Sequence, residues 1–327
     1  MMGTSSSNLE SIAIRLIADK PVRKTPYQVK GVFMKQFSEQ KIVPFLDGKL
    51  RNKYLYPRVQ VKILHEQIYI VGIKEGVEPV MSLIDNVKSF NFGNITINID
   101  KYEIEENIDQ FKVTERLLRY KFITPWIALN KSTGGKYRFS SDDEKFLFLN
   151  KLLGQNLLFI AKELGKEIKT KIYTKVIIDN KMPEKIDDNG WGAFTGQFKT
   201  NFILPNYTGL GNGITRGYGA LFSLNNPNSL VEENFKDKID DYLEEEINED
   251  DELMTFVTID DAPVINKRKK YKNRNNNKNR KRKNKKNKSA NDKYGKHINR
   301  LQTNKNNDID DETRFNSEEY HQKQHDL

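Results

Sequence analysis

Gly209-Leu210-Gly211-Asn212-Gly213-Ile214-Thr215-Arg216-Gly217-Tyr218-Gly219 is the stretch on which the reading of this chain turns. Five of its eleven residues are glycine, and no acidic residue lies between Lys199 and Gly219. A backbone so free of side chains can turn its N–H groups outward and lie close against phosphates. Gly196 to Pro205, before it, carries apolar residues at strand-like intervals; Tyr218, Ala220 and Phe222, in and after it, alternate with small ones. A P-loop is excluded, since no Lys-Ser/Thr pair opens a helix. So is the dinucleotide fingerprint, since no helix follows and the GxGxxG spacing is not kept. Two readings remain. The glycines only relieve crowding, or, with Lys199, Tyr207, Arg216 and Tyr218, they form a loop that contacts a polyanion.

Working back from this stretch, Tyr120 to Leu129 reads as a strand whose Pro125 marks an edge or a bulge. Ser141 and Glu144 have capping-box spacing and open a helix with one apolar stripe from Leu149 to Leu164, ended by Gly165 at C′. Strands follow at Thr170 to Ile178 and Gly192 to Ile203, with a closing strand after the glycines. The second helix of a βαββαβ unit is missing here, and the glycine-rich connection stands in its place.

The first half shows the whole unit. Ser11 to Ala18 alternates as a strand; Thr25-Pro26-Tyr27-Gln28 is an N-cap, an N1 proline and a capping-box glutamine; Val29, Val32, Phe33 and Phe37 keep helical spacing. Residues 41–53 form a loop ending in Lys49, Arg51 and Lys53. Strands Tyr56 to Leu64 and Gln67 to Ile73 meet at a His65-Glu66 turn, and a short helix from Val77 to Asp85 and a strand from Ile95 to Ile104 follow. The fold class is therefore α+β: tandem ferredoxin-like domains at 1–115 and 116–230, the second with a C-terminal glycine-rich loop. A disordered charged tail is expected over 231–327.

Charge is segregated. Residues 1–230 carry 33 Lys/Arg against 23 Asp/Glu, residues 231–266 carry 2 against 14, and residues 267–288 carry 14 against none. The body is basic without help from the tail, which suggests an acidic partner such as nucleic acid. The acidic segment has too much charge for a core. Lys267 to Lys288 is low-complexity and reads either as a solvated tail or as a nucleic-acid arm or localisation signal. Cysteine is absent, which removes disulfides and thiolate metal sites. The absence of a long apolar run and of a signal-peptide pattern sets the expectation of a cytoplasmic protein with no membrane contact.

Tyr54-Leu55-Tyr56-Pro57-Arg58-Val59-Gln60-Val61-Lys62 resembles the tyrosine-x-tyrosine-proline, then glutamine and lysine, pattern of CRISPR-associated repeat-processing endoribonucleases. These form the b-type branch of the sixth Cas protein family, in the RAMP superfamily. Ile70 to Gly76, Phe122 to Asn130 and the glycine stretch match in order, so the resemblance runs from about Ile12 to Phe222. It implies binding of CRISPR repeat RNA and metal-independent processing of the precursor transcript. The 2′-hydroxyl attacks the adjacent phosphate and leaves a cyclic phosphate and a free 5′-hydroxyl. Such a reaction needs a base, an acid and positive charge on the phosphorane. Neither a metal nor any other cofactor is expected.

The chain departs from this family at one point. Relatives place a histidine in the loop before the tyrosine motif, where this chain has Lys41 to Asp47; its one histidine in the folded region, His65, sits in a hairpin turn. Three outcomes stay open: catalysis by Tyr54, Tyr56 and Lys53 without imidazole, an inactive RNA-binding or scaffold protein, or a base from elsewhere. Tyrosine at ~10 and lysine at ~10.4 are poor bases at neutral pH unless shifted. The tyrosine pair reads equally as sheet packing, on one face of a strand. The expected RNA contacts are Lys49, Arg51, Arg58, Lys62, Lys199 and Arg216, with the backbone at Gly209, Gly211, Gly213, Gly217 and Gly219. Other Cas proteins are expected as partners, and a homodimer is left open.

Overall fold

The computed structural model describes residues 9–84, 86–186, 191–224, 245–248 and 250–263. The basic arm at 267–288 and the histidines beyond it lie outside the described residues.

The first sheet runs β2-β3-β1-β5-β4 in space, from β1 (Leu9–Ala18), β2 (Val59–Leu64), β3 (Gln67–Ile73), β4 (Ser89–Asn91) and β5 (Thr96–Ile108). In β1, Ile12, Ile14 and Leu16 point to one face and pair in register with Gly72, Ile70 and Ile68. Against that face pack Val29 and Phe33 of α1 (Pro26–Gln36), with α2 (Val43–Leu46) and Val80 of α3 (Val77–Met81) completing the core. The α1 capping box is formed as its sequence requires: Gln28 N–H donates to the Thr25 hydroxyl and the Gln28 side chain accepts from Thr25 N–H. Both residues of the His65-Glu66 turn take positive φ, 47° and 57°, the hairpin geometry that follows strand twist.

The second domain repeats the order 4-1-3-2. Its sheet reads β12-β6-β11-β8, from β6 (Val113–Phe122), β8 (Ile172–Ile178), β11 (Gly196–Phe202) and β12 (Leu221–Ser223). Its long helix, α5 (Asp142–Glu163), has the Ser141–Glu144 capping box and lays Leu149, Leu153 and Leu157 on the sheet. The strand expected from Tyr120 to Leu129 is broken at Pro125. β6 ends at Phe122, and β7 (Trp126–Leu129) joins a separate small sheet with β9 (Glu184–Ile186) and β10 (Trp191–Phe194). A helix that the sequence reading lacked, α4 (Lys131–Phe139), is capped by Asn130, whose side chain accepts from Ser132 and Thr133 N–H.

The fold also extends past residue 230, where a tail was expected. β13 (Glu245–Glu246) pairs with β6, and β14 (Thr255–Val257) adds a strand beside β8. Val257 is fully buried against Gly154 of α5, where a Cβ would stand 2.7 Å from the valine methyls. No described helix is long and apolar enough to cross a membrane.

Candidate functional site

The connection from Leu204 to Ala220 takes the place of the second helix and is drawn onto the first domain by polar side chains. The Tyr56 hydroxyl donates to Gly209 C=O at 3.0 Å, and Gly209 N–H donates to Gln60 Oε1 at 2.8 Å. Lys62 Nζ donates to Tyr218 C=O at 3.2 Å, and Lys30 Nζ to Thr215 C=O at 2.7 Å. From its own domain, the Thr124 hydroxyl donates to Gly217 C=O and Gly219 N–H donates to Pro125 C=O.

This arrangement corrects the expectation for three of the glycines. The N–H groups of Gly209, Gly217 and Gly219 are consumed inside the protein, and all three residues are buried. Each is also short of room for a side chain: a Cβ on Gly219 would stand 1.9 Å from the backbone oxygen of Leu210, one on Gly209 2.6 Å from Ile214 Cγ2, and one on Gly217 2.9 Å from Pro26 Cγ. Gly211 and Gly213, both at positive φ, do line open space.

That space is a cleft of about 240 Å³ between the two domains. Tyr27 and Lys30 of α1 and Arg51, Tyr54 and Tyr56 from the loop before β2 form one wall; Trp191 and the arc from Gly211 to Arg216 form the other. The loop is held by the C-terminal end of α5. Glu163 Oε2 accepts from Leu55 and Tyr56 N–H at 2.9 and 3.3 Å, and Arg58 donates to Glu163 C=O at 2.6 Å. Tyr54 stacks on Phe45 and lies under two cations, with the Arg58 and Lys53 charges 4.8 and 5.0 Å from its ring centroid. Arg216 lies between Trp191 and Tyr218, 5.5 and 5.3 Å from their rings.

The tyrosine motif precedes β2 instead of forming its first residues, so Tyr54 and Tyr56 do not share a strand face. Tyr54 borders the cleft half-buried; Tyr56 is wholly buried, and burial pushes its phenol far above its ordinary value. Lys53 is exposed, and its hydrogen bond with Tyr54 holds its ammonium above the usual lysine range. Lys49 is exposed and paired with Asp47 at 2.9 Å.

Three further residues are corrected. Arg58 and Lys62 are buried: Arg58 borders the cleft, but its guanidinium is committed to Glu75 and to Glu163 C=O, and Lys62 is committed to Tyr218 C=O outside the cleft lining. Lys199 lies away from the cleft, on the second sheet beside Lys175 and Arg119.

The sequence reading did not single out Tyr27, Lys30 or Trp191 as site residues. Lys30 and Lys62 are both brought down to about 7, chiefly by desolvation, with the charge of Lys30 adding to the effect on Lys62. Among the described residues, no group of three or more His, Cys, Asp or Glu is placed to hold a metal. His65 is exposed in its hairpin turn and is not among the residues lining the cleft.

Residues 7–110 match the family described as Cas6b N-terminal domain, and residues 112–224 the Cas6b C-terminal domain. Uncharacterized protein MJ0978 of Methanocaldococcus jannaschii is 30% identical over 139 residues, which are 42% of this chain and 95% of that protein. A solved chain described as Cas6b is 29% identical, over 66% of this chain and 99% of its own, with a TM-score of 0.56. Another, described as CRISPR RNA processing endoribonuclease Cas6b, is 24% identical over 66% of this chain and 99% of its own, at a TM-score of 0.48.

Proposed function

This chain belongs to the Cas6b family, and from that premise we propose that it binds CRISPR repeat RNA in the interdomain cleft and cuts the precursor transcript there without a metal ion. The observation that carries the reading is the meeting of Arg51 and Tyr54 from the first domain with Gly211, Gly213 and Arg216 from the second across one cleft. Arg51, Lys49 and Arg216 supply phosphate contacts, and Tyr54 with Lys53 stands nearest the scissile phosphate. Lys53 is a firm cation, suited to charge on the phosphorane and unsuited to taking a proton. Of the cleft-lining groups, Lys30 is the one whose proton affinity falls near neutrality, and so the candidate to accept the 2′-OH proton. As the 2′-oxygen bonds to phosphorus, the P–O5′ bond breaks. The 5′-oxygen leaves as a hydroxyl by taking a proton from solvent water, and the ammonium formed at Lys30 returns its proton to solvent.

A specific observation favours a second reading, an RNA-binding protein of the same fold that does not cut: among the described residues, none that lines the cleft is a histidine. Incubating the full chain with labelled repeat RNA in EDTA separates the two. A product ending in a cyclic phosphate, lost in Tyr54→Phe and in Lys30→Met, supports cleavage; tight binding with intact RNA supports the second reading.

A further inference from the structure

Two described pieces of the acidic segment that the sequence places in a tail, 245–248 and 250–263, lie against the second sheet. β13 pairs with β6 at Leu117 and Arg116, on the β12 side, whereas β14 pairs with β8 at the opposite edge. β13 and β14 thus flank β6, β11 and β8. On one face of these strands, Arg119, Lys199 and Lys175 are successive Cα partners and so share a side; Tyr120, Phe198 and Val176 are buried on the other. Asp251 sits on the basic side, with Oδ2 2.5 Å from Lys175 Nζ. The Lys175 hydrogen bond lowers its carboxyl from the usual value, with Lys199 contributing through its charge.

Apart from the turn bond that Asp251 Oδ1 accepts from Leu253 N–H, which an amide oxygen also makes, the attachment of β14 does not depend on carboxylate charge. It rests on ladder bonds to Ile172–Thr174, on Val257 in the Gly154 notch, and on Asn150 Nδ2 donating to Leu253 C=O at 2.7 Å. An edge strand held in this way has no need of the charge on Asp250, Asp251 and Glu252 before it. We propose that residues 250–257 are an intramolecular strap that seats the Asp251 carboxylate, with Asp250 and Glu252 flanking it in sequence, on the basic face of the second sheet and keeps an RNA backbone off it. The reading above enters only in making the polyanion an RNA.

The test uses the full chain and fluorescein-labelled polyuridine, with binding followed by anisotropy over a range of salt concentrations. In the triple variant Asp250→Asn, Asp251→Asn, Glu252→Gln, the amide oxygen at 251 still accepts from Leu253 N–H, so the turn survives. Its affinity is expected to rise about tenfold at low salt, and its log–log salt slope to steepen by about 1–2. Adding Lys175→Ala and Lys199→Ala should abolish the gain, whereas the same two alanines in the wild-type chain should change little, because the strap already covers them. Unaltered affinity and slope in the triple variant would sink the strap while leaving RNA binding intact. A gain that persists without the two lysines would sink it too, as a mere change of net charge. Polyuridine binding by none of the variants would overturn the strap and the RNA reading together.

Discussion

The Tyr56 hydroxyl, fully buried, donates across 3.0 Å to the carbonyl of Gly209, so the first domain reads the path of the glycine-rich loop through a phenol with no contact to water. The same peptide region is held from its other side by Gln60, which accepts from Gly209 N–H. This makes Tyr56 a positioning residue. Tyr56→Phe should cost about 1–2 kcal/mol in urea unfolding, because the Gly209 carbonyl loses its buried donor. RNA affinity should weaken with it, but the pH profile of any cleavage should keep its shape. A displaced profile would mean that the phenol exchanges protons after all.

Lys30 and Lys62 make the junction sensitive to pH. Each has a folded value of about 7 against 10.5 for an ordinary lysine, so between these limits the unfolded chain binds more protons than the folded one. Stability therefore rises with pH across this window, by at most about 1.4 kcal/mol per pH unit for each lysine, and the burial penalty is at its full size below pH 7. The neutral amine still donates to Thr215 and Tyr218 C=O, so the tie survives deprotonation. Urea midpoints should climb from pH 7 to pH 9.5, and Lys30→Met with Lys62→Met should flatten the climb. A midpoint that falls over this range would reverse the assignment.

Much of the fold is legible locally, because caps and strand alternation are local. Thr25 with Gln28 and Ser141 with Glu144 announce their helices, and the structure forms both boxes. The missing second helix of the second unit is also visible in the sequence. What escapes is whatever depends on a neighbour far along the chain. Gly134 and Gly135 argue against α4, which forms because Asn130 caps it and Tyr137 is buried in the core. Gln60 and Lys62 look like the wet face of a strand. They face the glycine loop instead, about 150 residues away by the separations of these hydrogen bonds. Lys30 carried a faint signal, a charge between Val29 and Gly31 within a run that proves wholly buried. The strap was hidden because net charge argues against a core but says nothing against an edge strand.

Two glycines that share a left-handed φ should respond very differently to alanine. Gly219 (φ 67°) has Leu210 O 1.9 Å from the site of a Cβ, whereas Gly93 (φ 88°) has nothing within 4 Å. Gly93→Ala bears only the conformational cost, about 1–2 kcal/mol. Gly219→Ala must also push the two loop strands apart and should cost several times more, with loss of RNA binding in the fraction that folds. Equal thermal shifts for the two variants would mean that the loop yields without resistance.

Arg58 and Arg216 separate structure from recognition. Arg58 has a side chain only 3% exposed, bonded to Glu75 at 2.7 Å and to Glu163 C=O at the end of α5. Arg58→Ala removes a cation from a helix C-terminus and the clamp between the domains, so about 2–3 kcal/mol of stability should go. The salt dependence of RNA binding should remain, because no phosphate contact is lost. Arg216 lines the cleft over Trp191 and Tyr218. Arg216→Ala should leave the melting temperature within a few degrees, weaken repeat-RNA binding about tenfold at low salt, and reduce the log–log salt slope by about 1. Titrations of both variants over the same salt series distinguish the roles. A salt slope changed by Arg58→Ala and untouched by Arg216→Ala would put the phosphate contact on Arg58, which also borders the cleft beside Tyr54, and take it from Arg216.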